Sequence, residues 1–247
     1  MKKKSVVLLL FSIFWGCTPS FFLSHEEKSM DPQTLFLKLR TPKEPLHTFQ
    51  AKGLWTFHTE GGTFRGQLQV RAKLPDSIWV KIEGPLGIDI LTFRHTRGLI
   101  TAYSPWMGEP ILEMPDSLWF KTFPPFELHF SQTPLLFLGQ MIPKEDSLVS
   151  FSRKKKLYVA HFSNHETWWI DPRGPVVSQW EKRDETGKPI FWYKAQRFKS
   201  SGEYRIPRMM QWGSGENNTV SLFYEEIHTN ETLKPGWCHV RIPSSKE

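Results

Sequence analysis

The feature that most constrains this chain is a change of side every residue, repeated along most of its length. In FQAKGLWTFH (49–58), Phe49, Ala51, Trp55 and Phe57 fall on one side, and Gln50, Lys52, Thr56 and His58 on the other. Glu60-Gly61-Gly62 then turns the chain. In TFRGQLQVRAK, Phe64, Leu68, Val70 and Ala72 alternate with Arg65, Gln67, Gln69 and Arg71. A period of two places successive side chains on opposite faces of a strand, so this is a hairpin with one apolar and one wet face. After Pro75-Asp76, the residues Ile78, Val80 and Ile82 continue the apolar face.

Strand-like runs follow near 88–95, 98–104 and 109–113. After a break between about 115 and 142 they resume near 147–153, 157–163, 167–171, 175–183, 189–197, 206–212, 218–227 and 237–242. Two segments read as helical. Asp31-Pro32 supplies an N-cap and a first-turn proline before the apolar stripe Leu35, Phe36 and Leu39. Thr133-Pro134 opens a short helix carrying Leu135, Leu136 and Leu138 before Gly139. Many short strands joined by tight turns, with two helical insertions, predict a mainly β protein: one curved antiparallel sheet with helices laid upon it. No linker interrupts residues 31–247.

The amino terminus carries a separate signal. Lys2, Lys3 and Lys4 precede an uncharged run, Ser5 to Gly16, and then Cys17. A basic start, an apolar stretch and a small residue before the cut make a secretory signal. Gly16-Cys17 also resembles the lipobox of bacterial lipoproteins, although Phe14 and Trp15 depart from its usual pattern. That resemblance implies a signal peptide at residues 1–16, lipidation at Cys17 and a tether at 17–30. The alternatives are an uncleaved anchor, since residues 5–23 carry no charge over nineteen positions, and an ordinary secretory signal. Lipidation leaves Cys238 without an intramolecular partner, and its setting WCHVRIP reads as a small buried hydrophobe.

Charge narrows the partners. Loss of residues 1–16 removes three lysines and lowers the net charge from +7 to +4. That excess suits an anionic membrane surface, and its dispersed pattern excludes a nucleic-acid footprint. The run Arg153-Lys154-Lys155-Lys156 reads as a solvated turn. Catalytic and metal signatures are absent from the sequence: there is no GxSxG elbow, P-loop or HExxH. His161 and His165 lie four apart, a helical spacing, in a segment that reads as strand and turn. No enzyme activity, cofactor or metal is expected.

The aromatic content, 11 Trp, 19 Phe and 5 Tyr, supplies a large apolar area. Along the inner face, Phe49, Trp55, Phe57, Phe64, Leu68, Val70, Ile78, Val80 and Ile82 either fill a core or line a cavity.

Three stretches resemble the LolA/LolB superfamily of periplasmic lipoprotein carriers and outer-membrane receptors, over roughly residues 31–243. They are GLWTFHTEGGTFRGQLQVRAKLPDSIWVKIEGPLG, the Pro- and Leu-rich helical insertion, and the ending YRIPRMMQW…NNTVSLFYEEIHTNETLKPGWCHVRIP. The resemblance implies an open half-barrel of about eleven antiparallel strands covered by short helices, with a cavity for acyl chains. It implies that the nine inner-face residues line that cavity, and that Pro85, Leu86 and Gly87 form a membrane-insertion loop with an exposed leucine. The competing reading folds Leu86 back on the sheet edge. Cargo would be an acylated protein or lipid, and a periplasmic LolA-like carrier a further partner. Thr18 after the cysteine, in place of Asp, favours the periplasmic face of the outer membrane. The alternative function is a structural or assembly lipoprotein of the envelope with a filled core; a hydrolase would need a nucleophile and base brought together from distant segments.

Overall fold

In the computed structural model the described residues are 30–40, 45–105, 111–115, 133–143, 147–202, 204–214 and 218–240. Cys17, the signal peptide and nearly all of the tether lie outside them. Residues Asp31–Glu247 form one compact unit.

The strands follow the alternation. β1 (Thr48–Thr59), β2 (Gly62–Lys73), β3 (Ser77–Glu83), β4 (Asp89–Thr96), β5 (Leu99–Tyr103) and β6 (Ile111–Pro115) make one meander. β7 (Leu148–Lys154), β8 (Leu157–Phe162), β9 (Glu166–Asp171), β10 (Val176–Arg183), β11 (Pro189–Ser201), β12 (Tyr204–Ser214) and β13 (Asn218–Thr229) make a second. The meanders join where β1 pairs with β13, giving one open antiparallel sheet in the order β6-β5-β4-β3-β2-β1-β13-β12-β11-β10-β9-β8-β7. Among the described residues the sheet has thirteen strands, where about eleven were expected. The run near 237–242 forms no strand in its described part, where residues 235–238 are turn. This tail instead crosses the outer face of β2 and β3. There Arg71 donates to the Trp237 carbonyl, Trp79 Nε1 donates to that of His239 (3.2 Å), and the Arg71 guanidinium sits 4.7 Å above the Trp79 ring.

Asn230, the late Asn of the carboxyl-terminal pattern, has a physical job. Its backbone is left-handed (φ 57°), and its side-chain oxygen accepts the N–H of His47 at 2.8 Å. The end of β13 is thereby locked to the chain entering β1. Asn tolerates this conformation better than most residues and bonds locally.

α1 (Pro32–Arg40) begins as the sequence predicts, with Asp31 Oδ1 accepting the Thr34 N–H at 2.9 Å. It packs far from its neighbour in sequence: Phe36 meets Phe151 of β7 (6.2 Å between ring centres) and Phe162 of β8 (6.3 Å). α2 (Thr133–Leu138) lies across the join of the two meanders. Phe137 touches Phe93 of β4 and Trp212 of β12, at 6.3 and 6.0 Å, and its carbonyl accepts from Tyr224 Oη of β13 at 2.8 Å. Gly139, at φ 67°, ends α2 against Pro207, where any Cβ would overlap the proline ring. Leu136, Leu138 and Met141 are fully buried.

Candidate functional site

Two features stand at opposite ends of β3, roughly 20 Å apart at the usual strand rise over its seven residues. One is the turn between β3 and β4. The other is a cleft beside the end of α1.

The turn is built from its base outward. Trp55 Nε1 of β1 donates to the Glu83 carbonyl at 3.0 Å. This contact needs Gly66 of β2, because a Cβ there would overlap the Glu83 oxygen and crowd the indole nitrogen. Lys81 Nζ lies 2.8 Å from Glu83 Oε1 and 2.8 Å from Asp89 Oδ1, tying the last turn-proximal residues of β3 to the first of β4. Burial works against the Lys81 charge, but hydrogen bonds to Asp89 and Glu83 outweigh it and raise its pKa above the ordinary value. Gly84 N–H donates to the Ile88 carbonyl (2.8 Å) and closes the loop. Within it Pro85, Leu86 and Gly87 form one 3-10 turn, with Leu86 at φ 62° and Gly87 at φ 74°. Leu86 is 99% exposed and does not fold back onto the sheet edge. Its neighbour Ile88 is also exposed, as is Phe64, 54% accessible near the same end of β2.

Apart from the exposed Phe64, the inner-face residues separate into two groups. Phe49, Leu68, Val70, Ile78 and Val80 are almost wholly inaccessible, and Trp55 is buried with its N–H committed to Glu83. Phe57 and Ile82 are half-buried. Cross-strand register explains the first group: Phe49 faces Ala72, Ala72 faces Ile78, Ile78 faces His95, and His95 faces Ile100, a continuous buried row across five strands. Phe57 faces Phe64 at the far end of β1 and β2.

The cleft, of about 780 Å³, is walled by other residues, and none of the nine contributes to it. Leu39 and Arg40 come from α1, Leu46 from the approach to β1, and Leu74 and Pro75 from the β2–β3 turn. Met141 and Ile142 follow α2, while Pro175, Val176 and Val177 come from the start of β10. Tyr204 and Arg205 close it from β12. Its volume lies within the roughly 300–1,000 Å³ of small-molecule sites. Among the described residues, Asp171 lies beside it and receives Arg173 (2.8 Å) and Arg205 (3.1 Å) at the same carboxylate oxygen. Burial pushes the Asp171 pKa up, but these bonds dominate and lower it to about 2. Sequence reasoning missed this site because its wall is drawn from six segments, none with a motif of its own.

Beneath Gly139, on the sheet side, lie two buried tyrosines. A Cβ on Gly139 would stand 3.2 Å from Tyr193 Oη. Burial raises the pKa of both Tyr193 and Tyr224, so both stay protonated across the physiological range.

No protein-family model matches the chain, and no curated protein matches it in sequence. Solved structures do match in fold. A domain from Vibrio parahaemolyticus assigned to outer membrane lipoprotein sorting superposes with a TM-score of 0.59 at 10% identity, covering 82% of this chain and 93% of that one. A DUF1329 family protein from Desulfovibrio piger gives 0.59 at 11% identity, over 85% of this chain and 98% of its own. A LolA superfamily protein from Nitrosomonas europaea gives 0.54 at 11% identity, over 86% and 99%. Likeness at these identities is one of fold, and the fold of this chain is the open, helix-covered LolA/LolB-like half-barrel.

Proposed function

We propose that this chain is a lipid-anchored, periplasm-facing binding protein of the bacterial outer membrane. It takes the acyl chains of lipoproteins, or another amphiphile, into the cleft beside α1 and delivers them to the membrane through the Pro85-Leu86-Gly87 turn. The observation that carries this reading is the apolar cleft of about 780 Å³ in a LolA/LolB-like sheet. Each methylene moved from water into such a wall stabilises the complex by about 0.8 kcal/mol. The process needs no covalent step, so the protein acts as a carrier and not an enzyme. Direction follows from relative affinity: cargo passes from a LolA-like carrier to the cleft, and from the cleft to the bilayer. The sorting role assigned to the Vibrio domain supports this choice of cargo. Cys17 supplies the anchor.

A second reading, a structural or assembly lipoprotein, draws on the packed centre of the sheet, where Phe49, Val70, Ile78 and Val80 have no accessible surface. Native mass spectrometry of the purified chain with a triacylated lipopeptide separates the two. A one-to-one complex that discharges into added liposomes supports the carrier. Absence of any complex at accessible concentrations leaves the structural lipoprotein as the account.

A further inference from the structure

We infer that Trp180, Tyr193 and Trp212 form a seat for the acyl carbonyls of the cargo, so that ester-linked chains bind in preference to ether-linked chains of equal length. This rests on the carrier reading above and specifies its ligand. Trp180 of β10 pairs with Tyr193 of β11, which pairs with Trp212 of β12, so the three stand in one row on one face of the sheet. Trp180 Nε1, Tyr193 Oη and Trp212 Nε1 are all buried, and among the described residues none has a hydrogen-bond partner. Tyr193 is 0% exposed and Trp212 4%. Buried donors without acceptors are costly and rare. Here they are confined to one place. Three other indoles of the sheet find protein acceptors: Trp55 at Glu83, Trp79 at His239 and Trp168 at Glu166. The neighbouring Tyr224 hydroxyl likewise donates to the Phe137 carbonyl.

The row adjoins the cleft. Gly139 lines the cleft, and a Cβ on it would stand 3.2 Å from Tyr193 Oη. Phe137, two residues earlier, lies against Trp212 with ring centres 6.0 Å apart. The carboxyl end of α2 therefore touches both the cleft and the donors, and an acyl group entering from the cleft reaches them by displacing it. Trp180 continues into an aromatic wall with Phe191 (4.9 Å) and Trp168 (5.4 Å), apolar surface for the adjoining methylenes. An indole N–H only donates, and burial keeps the Tyr193 phenol protonated. The complement of such a row is a set of neutral acceptors that bring no donor of their own, which describes ester carbonyls. Adjacent strands lie about 4.8 Å apart, and two acyl groups on one glycerol present carbonyls on neighbouring carbons. An ether-linked analogue keeps the tails and lacks the carbonyls. A buried water would also satisfy these donors, and the experiment separates it.

The test uses the full chain in dodecyl maltoside, a detergent without carbonyls. Equimolar dihexadecanoylglycerol and dihexadecylglycerol compete for it, and native mass spectrometry reads the ratio of the two complexes. The expected ratio favours the ester on the order of twentyfold, about fivefold for each of two carbonyls. In chain isotope-labelled at its indoles, the N–H resonances of Trp180 and Trp212 should move with the ester and stay in place with the ether. Tyr193→Phe should lower the ester preference by about fivefold, yet melt at or above the wild-type temperature, because it removes a hydroxyl that bonds to nothing in the free protein. Equal binding of ester and ether overturns the carbonyl seat and leaves the carrier reading intact. An ester preference unchanged in Tyr193→Phe, with both indole resonances unmoved, overturns the seat as well. A fall in melting temperature of roughly 5 °C or more in Tyr193→Phe shows that a buried water already holds the hydroxyl, and overturns it too. Absence of a complex with either probe overturns both readings.

Discussion

Replacing Leu86 offers the sharpest test of the delivery step, because the structure separates its effect on folding from its effect on membranes. The side chain is 99% exposed, so Leu86→Glu removes no packing, and its folding cost stays within about 0.5 kcal/mol. Leu86→Gly is subtler. The residue sits at φ 62°, where a Cβ costs roughly 1–2 kcal/mol. Glycine relieves that cost but loses about 0.5–1 kcal/mol of chain entropy on folding. The two nearly offset, and both variants should melt within roughly 2 °C of the wild type. Burying one leucine in lipid contributes about 1.5–3 kcal/mol. Its loss should slow discharge of a bound fluorescent lipopeptide into liposomes by about 10- to 150-fold, with Glu at the upper end because it adds a charge to be inserted. Dequenching after vesicle addition reads the rate. Discharge at the wild-type rate in both variants refutes the insertion role. A fall in melting temperature of 5 °C or more in Leu86→Glu refutes the premise that the side chain touches nothing.

Three further outcomes follow from particular contacts. Gly66→Ala drives a Cβ into the Glu83 carbonyl and displaces the Trp55 hydrogen bond, so it should cost about 2–3 kcal/mol, lower the melting temperature by roughly 5–10 °C, and slow discharge by shifting the base of the Leu86 turn. Tyr224→Phe strands the buried Phe137 carbonyl and should cost about 1–3 kcal/mol in denaturant titrations, loosening α2 over the sheet. Asp171 titrates near 2 in the folded chain, below its ordinary 3.8, so the unfolded chain binds the proton first as pH falls. Its contribution, on the order of 2 kcal/mol, is present above pH 4 and lost as pH falls toward 2. Asp171→Asn should therefore remove that limb of the acid-unfolding profile, and an unchanged limb would show that the Arg173–Asp171–Arg205 cluster does not supply it.

The sequence by itself determined what is local. Alternation over 49–58 and 64–72 placed Phe49, Ala51, Val70 and Ala72 on one face, and the register of β1 and β2 agrees residue by residue. Asp31-Pro32 and Thr133-Pro134 marked both helix starts because caps act within one turn. Gly84-Pro85-Leu86-Gly87 foretold a tight projecting loop for the same reason. Tertiary structure decided everything that depends on what lies opposite. A period of two tells which side of a strand is apolar and nothing about what covers it. Hence Phe49 and Val80 became sealed core, while Phe64, equally apolar in pattern, stayed exposed beyond the end of β3. The segment near 237–242 has a strand-like composition, yet Arg71 and Trp79 capture its carbonyls, and it crosses the sheet instead of extending it. The cleft is the extreme case. It is a gap between α1, α2 and the ends of β2, β10 and β12, and a volume bounded by distant segments leaves no periodicity in any of them.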